Sequence, residues 1–412
     1  MAVAGEMRVL VVNGGSSSFK CWFHEVSSGP LPVEAPQPQW EAHVEWRGGA
    51  AEVRIQSPAW GGYQFDRAAN SLIEPLGDVI HALVEHAGVD VVGHRVVHGG
   101  KAYRESTRLT PEVRAAIARQ AEFAPAHNHF ELEAVETIDR VLGSATEQIA
   151  VFDTAFHATI EPAAYVYPGP IGWVDQGIRR FGFHGISFQY ATRRTGQILG
   201  APAESLRLLL CHLGNGGSLA AVRSGKSVDT TMGFTPLEGL MMGSRSGSLD
   251  PGILIFLQRH CGYTADQLDQ ILNRQSGLLG ISGRSGDMRD ILAARADGDE
   301  RARLAFDIYV HRLAREAGGM LALLGGMDAL VFTGGIGENA PPVREHLCRQ
   351  LAFAGVELDD VKNGRAPRDE DIAARQSRVR IVVIHAEEEW EIARECHRLL
   401  GETERSVRGS AS

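Results

Sequence analysis

The chain has 412 residues, 44% hydrophobic and 22% charged, enough for two or three cored domains, of which two is the expectation. A formal net charge of -10 argues against a general nucleic-acid binder and against a protein held on an anionic membrane, since either needs clustered positive charge. Five scattered cysteines with no Cys-x-x-Cys, no basic-then-apolar leader and no apolar run long enough to span a bilayer fit a reducing cytoplasm, without a disulfide framework or a zinc site.

The chain opens with Val9-Leu10-Val11-Val12, an apolar run that predicts a buried strand, followed by Asn13-Gly14-Gly15-Ser16-Ser17-Ser18 and then by Phe19, Cys21 and Phe23 alternating with polar neighbours. Strand, loop and strand are expected, with a tip rich in backbone N–H groups and hydroxyls that suits phosphate. Lys20 adds a cation, one of only four lysines in the chain. This is not a Walker A loop, because the lysine runs into a strand rather than starting a helix.

From Ser28 to Phe65, short alternating pieces such as Ala51-Glu52-Val53-Arg54-Ile55 predict further strands of the same sheet, and Gly77 to Gly88 predicts a helix. Val91 to Gly100 reads as a strand that carries Arg95 and closes on glycines. An arginine inside such a strand implies either a buried ion pair or an anion site. Pro111 to Gln120 and Leu132 to Leu142 read as helices separated by a loop holding His127 and His129. Ile149 to Thr154 is a strand ending in Asp153, where open α/β sheets place ligand-binding groups.

Ile178 to Gly185 packs charge, aromatics and His184 between glycines. Leu206 to Leu213, the turn Gly214-Asn215-Gly216-Gly217-Ser218 and Leu219 to Arg223 repeat the plan of the opening hairpin, a hint of two lobes built alike. Arg245 lies in Gly243-Ser244-Arg245-Ser246-Gly247, a loop where function is expected over packing. Helices at Ala265 to Asn273 and Met288 to Arg295 bracket another glycine-serine loop, and Arg301 to Leu324 is a long helical stretch. Asp328 to Thr333 is a strand, Gly334 to Asn339 a glycine loop, and Asn339 is the expected N-cap of the helix begun by Pro341 and Pro342. Val379 to Ile384 is a last strand, followed by Glu387, Glu388 and Glu389, a helix from Trp390 to about Leu400, and a loose polar tail.

Val-Asn-Gly-Gly-Ser-Ser-Ser at 12 to 18, Gly-His-Arg-Val-Val-His-Gly-Gly at 93 to 100, Phe-Asp-Thr-Ala-Phe-His at 152 to 157 and Arg-Arg-Phe-Gly-Phe-His-Gly at 179 to 185 together resemble the acetate kinase family. So do His-Leu-Gly-Asn-Gly at 212 to 216, Met-Gly-Phe-Thr-Pro-Leu-Glu-Gly-Leu at 232 to 240, Gly-Ile-Ser-Gly at 280 to 283 and Thr-Gly-Gly-Ile-Gly-Glu-Asn at 333 to 339. The resemblance weakens mainly from Ser28 to Phe65. It implies an α/β fold of the actin, hexokinase and sugar-kinase ATPase type: two ribonuclease-H-like lobes, residues 1–150 joined by 388–412 and residues 151–387, with an active-site cleft between them. It also implies reversible phosphorylation of acetate or another short carboxylate by ATP, through direct in-line transfer, in a cytoplasmic homodimer with magnesium, or manganese in its place.

By the same resemblance Asn13 and Glu388 serve the metal and Lys20 the nucleotide phosphates. His212, Leu213, Gly214, Asn215 and Gly216, with Asp287, Met288 and Arg289 and with Gly335, Ile336, Gly337, Glu338 and Asn339, bind ATP. Arg95 holds the acid, and Val97, Ala126, Phe183 and Pro236 form its apolar pocket. Asp153 is the catalytic carboxylate, and His184 with Arg245 stabilises the transition state.

The chemistry needs such a set. A carboxylate acceptor is ionised near neutral pH, so no strong base is required, and the obstacle is bringing two anions together. Arg95, Arg245 and His184 can spread that charge. Asp153 is then better placed to order metal-bound water or to orient arginines than to act as a base. The sequence departs from the family's usual run at Gly14 (alanine), Phe19 (an aliphatic), Ala126 (leucine), His129 (proline), and Ile186 and Phe188 (threonine and histidine). The change at Ala126 predicts a wider acid pocket that admits propionate and butyrate, unless His129 or Phe188 fills the space. Two rivals carry less: a dinucleotide oxidoreductase, from Gly335-Ile336-Gly337-Glu338-Asn339-Ala340, and an ATP-switched binding protein on the same fold.

Overall fold

In a computed structural model, residues 6–15, 18–120 and 125–409 are described, those at 120, 125–129 and 402–409 by their backbone alone. The chain divides into two compact units, Met1–Ala155 with Glu387–Ser412, and Phe156–Ala386.

The first unit holds strands β1 (Met7–Gly14), β2 (Ser18–Val26), β3 (Trp40–Trp46), β4 (Gly49–Ser57), β5 (Gly61–Ala69), β6 (Val91–Val96), β7 (Thr107–Arg108) and β8 (Glu147–Phe152). They form one sheet in the order β5-β4-β3-β2-β1-β6-β8-β7. Neighbours from β5 to β1 are antiparallel, whereas β1, β6 and β8 run parallel. The strands expected between Ser28 and Phe65 are β3, β4 and most of β5. On β4, Ala51, Val53 and Ile55 are buried while Arg54 and Gln56 face out, the two-residue alternation of a half-covered sheet. On β1, Val9, Leu10 and Val11 are all fully buried, because helices cover both faces there.

The helix Glu74–Val84 buries Leu76, Val79, Ile80 and Leu83, spaced for one helical face. Each contributes about 1.5–3 kcal/mol by leaving water. The helix Pro111–Gln120 lies where it was expected, whereas the one expected from Leu132 begins at Pro125 and runs to Leu142. Its buried row starts early, with Phe130, Ala134 and Ile138 each four residues apart, and proline is tolerated in a first turn. The terminal helix Glu388–Gly409 is also longer than expected, so the backbone to residue 409 is helical rather than loose. It packs along β1 and β6, with Ile392 and Cys396 fully buried.

The second unit holds β9 (Arg207–Leu213), β10 (Gly217–Arg223), β11 (Lys226–Thr230), β12 (Ala329–Thr333), β13 (Glu370–Asp371) and β14 (Arg380–Val383), in the order β11-β10-β9-β12-β14-β13. Here β11, β10 and β9 are antiparallel, and β9, β12 and β14 are parallel. Leaving out its edge strands, the first sheet reads β3-β2-β1-β6-β8, and the second β11-β10-β9-β12-β14. Both are therefore an antiparallel meander followed by two parallel strands, so the likeness of the two opening hairpins extends to whole sheets. The helix Glu300–Leu324 starts where Asp299 accepts from the N–H groups of Arg301 and Ala302 and stops at left-handed Gly325. It lays Phe306, Tyr309, Leu313 and Met320 into the core of this unit.

The segment after β12 corrects the expected loop. Gly334–Asn339 is a short helix, and Asn339 ends it by donating from Nδ2 to the Gly335 carbonyl at 3.0 Å. The helix Pro341–Gln350 follows with Ala340 as its N-cap and no side-chain cap, since proline at its start needs no N–H partner.

Candidate functional site

In the first unit the parallel strands carry their chemistry at their carboxyl ends. Arg95, the next-to-last residue of β6, reaches Asp153, one residue past the end of β8, from Nε at 3.0 Å and from Nη2 at 2.6 Å, both to Oδ2. Asp153 is 1% exposed, so this is a buried ion pair. Arg95 Nη1 also donates to Asn13 Oδ1 and to the Gly14 carbonyl, both at 3.4 Å. Burial by itself would lower the Arg95 pKa, but Asp153 and Glu388 outweigh it, and the guanidinium is held charged well above its usual range.

The start of the terminal helix completes this cluster. Asn13 Nδ2 donates to Glu388 Oε2 at 3.4 Å and to Glu389 Oε1 at 3.1 Å, and Lys20 Nζ lies 3.6 Å from the same Glu389 oxygen. Glu389 raises the Lys20 pKa. Asn13, Lys20, Arg95, Asp153 and Glu388 are thus brought together. Among the described residues no three His, Cys, Asp or Glu side chains form a ready metal cage. Ser16 and Ser17 of the loop, and the side chains of Ala126 and His129, lie outside what the structure describes.

Two buried residues here were not singled out in the sequence. Phe130 packs its ring over Gly14 and against Phe19, at 5.7 Å between ring centres, so that a Cβ on Gly14 would lie 2.0 Å from Phe130 Cε1. The glycine in place of the family's alanine is what the phenylalanine requires. Glu131, beside it, accepts from the Val97 N–H at 2.8 Å while 3% exposed. In the sequence both fall just before the helix expected from Leu132, with nothing local to mark them as buried.

In the second unit His184 takes a left-handed conformation, φ 59°, at the entry to the helix Gly185–Leu199. Its Nδ1 meets Ser218 Oγ at 2.9 Å, and its ring stacks on His212 with centres 4.1 Å apart. His212 Nδ1 in turn meets Ser187 Oγ at 2.8 Å. Strain of this kind persists where surroundings over-determine it. His157 supplies part of that hold, bonding the Phe183 carbonyl from Nε2 at 3.0 Å and Ser227 from Nδ1 at 2.8 Å. Burial lowers its pKa to about 4, so it is neutral. Phe188 stands edge-on to His157, with centres 5.7 Å apart, and to His184, at 6.5 Å. It braces the histidines.

Arg245 donates from Nη1 to the Pro236 carbonyl at 3.1 Å. A Cβ built on Gly216 would lie 3.4 Å from that same Nη1 and 3.5 Å from His184 Nε2. Both groups therefore lie close to the turn between β9 and β10. Of the expected acid-pocket residues, Phe183 and Pro236 lie in this unit and Val97 in the other.

A cavity of about 750 Å³ opens beside the same turn, lined by Gly214, Asn215, Asp287, Met288, Arg289, Gly335, Ile336 and Asn339 among others. Its size suits a small-molecule ligand. Three expected nucleotide segments, far apart in sequence, thus share one wall. Leu213 is buried in the core instead, and Glu338 turns away to accept from His385 Nδ1 at 2.6 Å and from the Ala386 N–H at 3.1 Å. Burial raises the Glu338 pKa, but His385 and the backbone donors bring it net below the usual value. Asp287 caps the helix Met288–Ala296 and pairs with Arg289, which lowers its pKa. Arg344, fully buried and not foreseen, donates to the Gly337 and Glu338 carbonyls at 2.8 and 2.7 Å and to both oxygens of Asn363. Its signal in the sequence, an arginine after two prolines, is that of any surface helix.

Residues 8–394 match the model of the acetokinase family. The chain is 54% identical to the acetate kinase of Gloeobacter violaceus over 95% of this chain and 98% of that one, and 51% identical to that of Nostoc punctiforme over 96% and 100%. Among solved structures it is similar to Porphyromonas gingivalis acetate kinase, with a TM-score of 0.85 and 36% identity over 96% of this chain and 100% of that one. A propionate kinase from Francisella tularensis gives 0.86 and 34% over 94% and 98%. Fold and site define a phosphotransferase built on the actin and hexokinase type of ATPase fold. The chain belongs to the acetokinase family.

Proposed function

We propose that this protein transfers the terminal phosphoryl group of ATP to acetate, reversibly and in line, giving acetyl phosphate. The observation that carries the reading is the closeness of Arg245 Nη1 and His184 Nε2 to Gly216, beside a cavity walled by three glycine-rich segments. An arginine and an imidazole held beside one turn suit the charge that spreads over a phosphoryl group in flight. ATP and ADP occupy the cavity. Arg95 holds the acid's carboxylate, with Val97 following it in the chain, and Asp153 fixes the direction of the guanidinium rather than removing a proton. Lys20 serves the phosphates.

Asn13 and Glu388, whose side chains are already in hydrogen-bond contact at 3.4 Å from Nδ2 to Oε2, each carry a hard oxygen that suits magnesium, or manganese, which takes few protein ligands and leaves phosphate to complete its shell. Bound there, the ion would neutralise charge on the leaving phosphates.

No helix among the described residues is long and apolar enough to cross a membrane, and the location proposed is the cytoplasm. Pairing with a second copy is supported by the helix Pro251–Cys261, which buries none of its residues and exposes Ile253, Ile255 and Phe256.

The test is a hydroxylamine trap for acyl phosphate, run with ATP, magnesium and a series of acetate, propionate and butyrate. Hydroxamate from acetate is the expected result. None from any of the three would overturn the reading, and a propionate signal rivalling acetate would mark the wider pocket.

A further inference from the structure

Glu131 is a carboxyl group that the proposed chemistry leaves without a task. Oε1 accepts from the Val97 N–H, two residues past Arg95 in the chain, while Oε2 is buried and has no hydrogen-bond partner among the described residues. A buried carboxylate with an unanswered oxygen is costly, whereas a protonated carboxyl at the same place is not. The charged groups facing it are Arg95 of β6 and Asp153 after β8, and Arg95 is faced in turn by Glu388 of the terminal helix. Arg95 and Asp153 already neutralise each other, so a further negative charge from Glu131 would fall on a balanced site.

We propose that Glu131 is a positioning residue for the acid substrate: protonated, it fixes the Val97 amide and leaves the Arg95 charge to the incoming carboxylate; ionised, it competes for that charge and weakens acid binding. This rests on the reading of Arg95 as the anchor of the acid. Burial pushes the Glu131 carboxyl up to about 8, so the change falls just above neutral pH. An extra unit charge about 7 Å from the bound carboxylate, at the effective dielectric of a partly buried site, weakens its binding by roughly fiftyfold when fully ionised.

The experiment measures the KM for acetate and the KM for ATP from about pH 6.5 to 9.5 in the wild type, in Glu131→Gln and in Arg95→Ala, a span that brackets the titration of a carboxyl raised this far by burial. Glutamine keeps an acceptor for the Val97 amide and cannot ionise. The expected result is an acetate KM that rises by roughly tenfold or more with pH in the wild type and stays flat in Glu131→Gln, with the ATP KM following the same course in both. Superimposable acetate profiles in the two proteins would overturn the role of Glu131 while leaving that of Arg95 standing. An acetate KM unchanged in Arg95→Ala would overturn both. Infrared spectra of the wild type alone supply a readout independent of turnover and of how the variants fold. A protonated-carboxyl band present at neutral pH and lost at alkaline pH supports the proposal, and its absence at neutral pH overturns it.

Discussion

Arg95 directs both Nε and Nη2 to a single oxygen of Asp153, Oδ2. A carboxylate engaged this way is a holder of the guanidinium and a poor proton acceptor. Removing one partner of a buried pair leaves the other uncompensated and costs about 3–5 kcal/mol. Asp153→Ala is expected to lower stability by that order in denaturant unfolding, while Asp153→Asn, which keeps an acceptor of the same shape, costs less. Both variants should raise the acetate KM, because the direction of Arg95 is what the pair fixes. An acetate KM at the wild-type value in Asp153→Asn would contradict the assignment.

On the proposed function Arg245 acts on the phosphoryl group in transfer and not on the resting nucleotide, so Arg245→Ala should retain ATP binding and lose turnover. One such donor is worth on the order of 3 kcal/mol, about a hundredfold or more in rate. Isothermal titration with an ATP analogue beside kcat measurements separates the two effects. Equal losses in both would move Arg245 to the nucleotide.

Gly14 and Phe130 should be coupled. Gly14→Ala drives a methyl into the Phe130 ring, an overpacking that costs about 1–3 kcal/mol. Phe130→Leu opens that space at a packing cost of its own. The double variant is expected to be more stable than the sum of the single losses predicts, by about 1 kcal/mol. Additive losses in a double-mutant cycle would show that the ring does not press on the loop.

Arg344 ties the short helix Gly334–Asn339 to Asn363 through four hydrogen bonds. Burial lowers its pKa to about 10, which leaves it charged at neutral pH. Lysine cannot reproduce that planar fork, so Arg344→Lys should lose about 3 kcal/mol and loosen a wall of the cavity. Denaturant midpoints and ATP-analogue affinity should fall together. Retained affinity at reduced stability would confine Arg344 to the core.

Stability should itself depend on pH through Glu131. Its folded pKa of about 8 lies above the unfolded carboxyl value, so between the two the unfolded chain binds fewer protons than the native one. Unfolding free energy therefore falls as pH rises through that window and levels off above about 8. Glu131→Gln removes the dependence. The stability of the variant relative to wild type should grow steadily from about pH 5 to 8 in denaturant unfolding, and a constant difference would mean that Glu131 is ionised throughout.

The sequence by itself determined the elements and the kinds of group they carry. Valine runs, two-residue alternation on β4 and glycine turns are local properties, legible without a partner. Asn13, Arg95, Asp153, His184 and Arg245 stand in strands and glycine-rich loops that drew attention to several of them, but their roles were implied only by the family resemblance. Only the tertiary structure decided what these groups face. Arg95 and Asp153 are 58 positions apart, and Asn13 and Glu388 are 375 apart. Whether Arg95 met a carboxylate or an anion site was open until β6 and β8 were laid side by side. Glu131, Phe130 and Arg344 were illegible for the same reason. A glutamate, a phenylalanine or an arginine near a helix start has the same local pattern on a surface as in a core, and burial, which decides its charge state and its use, is set by whatever distant segment packs against it.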